Sequence, residues 1–166
     1  MKQPSRNVHI RRARPTDLPI LTEALALAAE WRSSVPPSNV EAVLAHPDLA
    51  LILECWGRNG DTAVIAECHG DPLGAAWYRY YTPEQHSYGY IESSIPELGI
   101  GVRHSARGQG IGTHLLEDLI AIARKDGVPA ISLSVEQDNP AVRLYERLGF
   151  QRHAVVENAW TMVLTL

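Results

Sequence analysis

Three glycines at alternate positions, Gly108, Gly110 and Gly112, sit between an apolar alternation and a long amphipathic stretch, and no other feature narrows the fold as much. Ahead of them Leu98, Ile100 and Val102 alternate with other residues, the pattern of a strand. Behind them Leu115, Leu116, Leu119, Ile122 and Ala123 recur on one helical face, with Gly127 and Pro129 as stop signals, so a helix is predicted over 110–125. Ile131, Leu133 and Val135 then alternate as the next strand. A strand–helix–strand unit of this kind is a right-handed crossover, which makes its two strands parallel.

Residues 103–113 read Arg-His-Ser-Ala-Arg-Gly-Gln-Gly-Ile-Gly-Thr. Glycines there let the backbone turn tightly and leave several N–H groups free at the positive end of the helix dipole, which makes a seat for an anion such as a diphosphate. Arg103 and Arg107 add positive charge. The same glycines also suit a plain packing turn, and the local sequence leaves both readings open. Two other phosphate loops fit less well. The dinucleotide fingerprint needs Gly-x-Gly-x-x-Gly early in the chain, and a P-loop needs a lysine before the residue at Thr113. A Gly-x-Ser-x-Gly nucleophile elbow is absent.

Elsewhere, Val8 and Ile10 mark a first strand, and Leu18, Leu21, Leu25 and Ala28 a helix behind Thr16 and Asp17. Ser38 is positioned to cap a short helix with Val40, Val43 and Leu44. Residues 49–56 are predicted helical because Pro47 suits a first turn and Gly57 an end, with a strand as the alternative. Residues 62–67 and 73–81 form a hairpin around His69-Gly70-Asp71-Pro72, and 82–94 has no clear pattern. Asn139-Pro140 opens a helix carrying Val142, Leu144, Tyr145 and Leu148 that stops at Gly149, before two last strands near 150–156 and 160–166. The aromatic strand Trp77-Tyr78-Arg79-Tyr80-Tyr81 must point side chains to both faces, so pocket lining and core packing are both open to it.

The 166 residues suit one domain over 1–166, and 45% apolar content supplies a core. A net charge of −4 argues against a general nucleic-acid or anionic-membrane binder. Cys55 and Cys68 are too few for a disulfide scaffold and read as small buried apolar residues. The seven histidines show no ligand spacing, so no metal is expected. Residues 1–14 are polar and basic without the apolar stretch of a signal peptide. Together these point to a reduced, soluble, cytoplasmic domain.

Two blocks resemble the GNAT superfamily of acetyl-CoA-dependent N-acetyltransferases. The family's Arg/Gln-x-x-Gly-x-Gly/Ala motif matches Arg107-Gly108-Gln109-Gly110-Ile111-Gly112, and its Asn-x-x-Ala/Val-x-x-Leu-Tyr-Glu-x-x-Gly-Phe block matches residues 139–150, including Asn139, Ala141, Val142, Leu144 and Tyr145. They stand in the family's order, separated by one helix and one strand. The resemblance implies an α/β (α+β) fold with a mixed sheet of about six to seven strands, a splayed parallel pair and about four flanking helices. It implies acetyl-CoA as co-substrate, a small-molecule or peptide amine as acceptor, and a homodimer as one assembly.

By the same resemblance, Gln109, Gly110, Ile111, Gly112 and Thr113 hold the diphosphate, with Arg107 and Gly108 beside them. Ile100, Gly101 and Val102 offer backbone groups to the pantetheine arm, and Gly99 and Gly101 are expected to permit a bulge that opens the gap. Asn139 caps its helix and faces the arm, with Ala141 beside it. Tyr145 protonates the departing thiolate, unless it is a core tyrosine. Arg143 and Arg147 read as solvated helix charges. For the base, Glu97 and Glu92 are the carboxylates near the glycine-preceding strand, a water chain being the alternative. Glutamate-dependent members carry their base where Pro96 stands here, and one step along a strand reverses the facing. Residues 30–60 and 82–96 match the family only loosely and are where the acceptor site is shaped. The reading from another class is a non-catalytic acyl-CoA sensor on the same fold.

Overall fold

Alternation in seven apolar stretches builds one mixed sheet in the computed structural model, which describes residues 7–166. Residues 1–6, part of the polar N-terminal stretch, lie outside the described residues. The strands are β1 (Val8–Arg12), β2 (Thr62–Cys68), β3 (Asp71–Arg79), β4 (Glu97–Val102), β5 (Ala130–Glu136), β6 (Gln151–Val156) and β7 (Ala159–Thr165), in spatial order β1-β2-β3-β4-β5-β7-β6. All neighbours are antiparallel except β4 and β5. Among the described residues five helices cover the sheet, in keeping with the about four expected: α1 (Leu18–Ala29), α2 (Val40–Leu44), α3 (Pro47–Leu53), α4 (Ile111–Lys125) and α5 (Ala141–Arg147).

Period-two alternation divides the side chains between two cores. Val64, Ala66, Ala76, Tyr78 and Leu98 point to one face, where α4 contributes Leu115, Leu116 and Leu119 and α5 contributes Val142 and Tyr145. Ala63, Ile65, Ala75 and Trp77 point to the other, against Leu21, Ala24 and Leu25 of α1, with Leu49 and Ile52 of α3 packed alongside. Within β4 the split falls between even and odd positions. Leu98, Ile100 and Val102 join the α4 face, whereas Gly99 and Gly101 meet Trp77 and α1.

That packing corrects the expected bulge. The β3–β4 register runs without a shift from Gly74↔Val102 to Arg79↔Glu97. A Cβ at Gly99 would collide with the Trp77 ring, and one at Gly101 with the backbone of Ala24. These glycines admit an aromatic ring and a helix, not an extra residue. Further differences are local. Asn39, not Ser38, caps α2, accepting the Ala42 N–H at 3.0 Å. Helix α3 stops at Leu53, and Cys55 is exposed in a left-handed conformation instead of buried; Cys68 is half-buried. The β2–β3 hairpin turns on His69 and Gly70, both at positive φ, leaving Asp71 and Pro72 inside β3.

Candidate active site

The only parallel pair in the sheet is barely paired. Strands β4 and β5 meet in register at Glu97↔Ser132, where the Ser132 N–H donates to the Pro96 carbonyl at 3.0 Å. Beyond that point they diverge, β4 remaining zipped to β3 and β5 to β7. The main-chain groups of residues 98–102 that face β5 therefore gain no strand partner there. A seam opens through the sheet toward the carboxyl ends of the strands, where ligands bind in open α/β sheets.

At the wide end of this seam lies the glycine turn. Gly110 is the N-terminal cap of α4 at φ +80°, and Gly108 has φ +71°. A Cβ built at either position meets nothing within 4 Å, so the space above them is open. Among the backbone bonds of the described residues, none uses an N–H from Gly108 through Thr113 as donor, so the first turn of a 15-residue helix presents its amides outward. A Cβ at Gly112 would meet Leu144 at 3.5 Å and Ile100 at 3.8 Å, ordinary contact distances that place the turn beside α5 and β4. Arg107 stays at the turn, its Nε donating to the Val102 carbonyl at 3.0 Å. Gln109 turns its side-chain amide back to the Ser105 carbonyl. Arg103 does not contribute as expected: its guanidinium is clamped by Glu23 at 2.8 and 3.0 Å and by Asp71 at 3.0 Å.

On the α1 face, the narrow end of the seam opens into a cavity of about 490 Å³. Its floor includes Glu97, Gly99 and Ser134, and its walls include Leu25, Trp77 and Tyr81. Glu97 is 9% exposed. One carboxylate oxygen accepts the Gly89 N–H at 2.9 Å, and the other has no partner. Burial pushes the Glu97 carboxyl up to about 7, the Gly89 N–H and the nearby Ser87 hydroxyl offsetting only part of the desolvation. Glu97 thus lines the cavity together with Leu98 and Gly99 of the same strand. Its register neighbour Ser132 is fully buried with an equally unpartnered hydroxyl.

The remaining predicted residues separate. Asn139 lines the cavity, and its side-chain oxygen accepts the Ala141 N–H at 2.9 Å, capping α5. Tyr145 is 7% exposed in the α4-side core, edge-on to Phe150 at 5.8 Å, and does not line the cavity. Burial raises its phenol pKa. Glu92 is exposed, bonds Ser94, and lies outside the cavity. The aromatic strand splits as its alternation requires, Trp77 and Tyr81 lining the cavity and Tyr78 in the opposite core. Both loosely matching stretches contribute walls, Trp31 and Ile52 from one and Ser87 and Tyr88 from the other. Sequence reasoning missed Ser134, Glu136 and the β6–β7 turn at 156–159, which reach the cavity only through long-range folding.

A sequence model of the acetyltransferase (GNAT) family matches residues 25–150. The chain belongs to this family. An L-methionine sulfoximine/L-methionine sulfone acetyltransferase from Pseudomonas aeruginosa is 35% identical over 89 residues, 53% of this GNAT chain and 49% of that protein. A mycothiol acetyltransferase from Parafrankia sp. is 45% identical over 134 residues, 70% of this chain and 42% of that one. The chain thus spans about half, or less, of the length of these curated relatives. The structure of yncA from Salmonella typhimurium with its cofactor acetyl-CoA superposes with a TM-score of 0.70 at 24% identity, covering 96% of this chain and 94% of that one. The seven-stranded sheet with its single parallel pair is the GNAT fold. Among the described residues no cluster of potential metal ligands occurs, and no helix is long and apolar enough to cross a membrane.

Proposed function

We propose that this GNAT chain transfers an acetyl group from acetyl-CoA directly to a primary amine. The observation that carries the reading is Glu97: a buried carboxylate with one free oxygen, at the narrow end of a seam whose wide end is lined by outward-facing amides. The residues present fit the coenzyme. Open space above Gly108 and Gly110 leaves room for a diphosphate against the backbone, and the unzipped edge of β4 suits an amide-bearing arm laid down like an added strand. When bound, acetyl-CoA supplies an acetyl group activated as a thioester.

The chain's own groups then divide the work. The amides of 109–113, with Arg107 beside them, hold the diphosphate, and Ile100, Gly101 and Val102 take the arm along their free backbone edge. An N–H donor in that segment stabilises negative charge developing on the acyl oxygen, an effect worth about 3–4 kcal/mol for a single well-placed donor. An acceptor amine is mostly an ammonium at neutral pH and must lose a proton before its nitrogen can attack. The free oxygen of Glu97, with its carboxyl raised to about 7, is matched to that task. As the new C–N bond forms and the C–S bond breaks, the sulfur needs a proton. Tyr145 holds one firmly, since burial raises its pKa, so it serves first as a hydrogen-bond donor and releases the proton only as thiolate character develops.

The test is release of free thiol from protein, acetyl-CoA and a panel of amines and peptides. Turnover is expected, and Tyr145→Phe should slow it about a hundredfold with coenzyme affinity nearly unchanged. Tight coenzyme binding with no thiol released by any acceptor would overturn the reading and leave an acyl-CoA sensor in its place.

A further inference from the structure

Resting on the acetyl-transfer reading, we propose that the acceptor is a cationic amine carried on an apolar or aromatic arm, and that it bears no carboxylate. The cavity that Glu97 lines also has Glu136, ion-paired with Arg32, and the exposed Glu157 in its wall, and no arginine or lysine lines it. Trp31, Trp77 and Tyr81 supply apolar and aromatic wall.

The neighbouring cations are already engaged. The Arg32 guanidinium lies 4.3 Å over the Trp31 ring and bonds Glu136 and both oxygens of Asp138, the latter at 2.8 and 2.9 Å. His46 also lines the cavity, but its Nδ1 accepts the Asp48 N–H at 3.3 Å. An α-amino acid would bring a carboxylate into this space and find no unpaired arginine or lysine lining it, with Glu97 and Glu157 as the like charges not already ion-paired. An ammonium on a hydrophobic arm meets the opposite situation. Its charge is drawn toward Glu97 by the carboxylates, its arm is buried against the aromatic wall, and 490 Å³ lies within the size range of small-ligand pockets. The acidic lining thus selects against the class of acceptor for which the Pseudomonas relative is named.

Matched probes test this directly: phenethylamine against L-phenylalanine, and tryptamine against L-tryptophan, each pair differing by one carboxylate. With saturating acetyl-CoA, kcat/KM for each amine should exceed that of its amino acid at least about tenfold, as like-charge opposition in a low-dielectric cavity implies. Glu157→Arg, at an exposed position on the cavity's edge, should narrow that ratio. Amino acids acetylated as well as their amines would overturn the acceptor class while leaving acetyl transfer standing, and a ratio unmoved by Glu157→Arg would overturn its electrostatic origin. If no probe releases thiol although acetyl-CoA binds, acetyl transfer itself fails. Calorimetric titration of the same probes into the CoA-loaded protein then decides the cavity: preferential amine binding supports the charge preference, and equal binding overturns it.

Discussion

Replacing Glu97 by glutamine removes a charge that the folded chain holds at a disadvantage. The carboxyl is raised from 4.5 to about 7 because burial strips its water and the Gly89 N–H and Ser87 hydroxyl give back only part of the loss. Below pH 4.5 it is protonated in both folded and unfolded chains and costs nothing; above about 7 it is ionised in both, and the folded state carries the full penalty. Between those limits native stability falls as pH rises, because the folded state binds the proton more tightly. A shift of this size corresponds to about 3 kcal/mol. Glutamine keeps an oxygen for the Gly89 N–H and loses the titration. The stability of Glu97→Gln relative to the parent should therefore climb by about 3 kcal/mol between pH 4.5 and 8, or about 6–12 °C in Tm for a chain of this length. Urea unfolding of both proteins across that range, without coenzyme, measures it. The kinetic side must move the opposite way. The parent's kcat/KM should rise with pH through about 7, and the variant should lose that limb together with about 100-fold or more of its rate. Parallel stability curves would refute the buried-carboxyl reasoning, and an unchanged pH–rate limb in the variant would refute the assignment of Glu97 as base.

Two further substitutions separate binding from folding. Gly110→Leu places a side chain in open space above the cradle, so the fold should lose only about 1–2 kcal/mol for a left-handed non-glycine residue while calorimetric coenzyme binding disappears; retained binding would relocate the diphosphate. Arg79→Leu tests folding instead, at the β3 position paired with Glu97. Arg79 is fully buried, bonds Asp61 at 2.6 and 2.9 Å, and donates to the carbonyls of Leu51 and Glu54, so its loss strands a buried carboxylate and should cost about 3–5 kcal/mol in urea unfolding, a loss under 1 kcal/mol contradicting the buried pair.

The crossover around the glycine turn was legible because its signals are local: alternation before the turn, a helical apolar face after it, and stop residues beyond. The same holds for the cap at Asn139, whose side chain bonds within two residues of itself. Glu97 was named from its place on β4, but its facing could not be read. Period two says only that odd and even residues part company; which side carries the cavity depends on α1 lying across Gly101, a contact between segments far apart in the chain. Cys55 was misread for a related reason. Its residue type suggests a small buried side chain, yet the helix stops at Leu53 and the chain turns outward through a left-handed residue. Arg79 is invisible as a core residue in the sequence because its partners, Asp61 and two carbonyls at the C-terminal end of α3, are assembled only by folding.

The glycines fall into two kinds that spacing alone cannot distinguish. Gly99 and Gly101 are small because protein fills the space a side chain would take, and Gly108 and Gly110 are small although nothing of the protein does. The first kind holds β4 in register with β3 and tight beneath α1, which leaves its far edge as the side that can part from β5. The second kind keeps the end of that parted edge clear over six outward amides. A close-packed seam and an open one are thus made from the same residue type within twelve positions. Filling the first kind should unfold the chain, and filling the second should leave it folded but unable to grip an anion. Both members of the second kind also sit at positive φ, which favours glycine by itself, so it is the loss of coenzyme binding in a folded Gly110→Leu protein, and not the open space alone, that would tie the turn to a ligand.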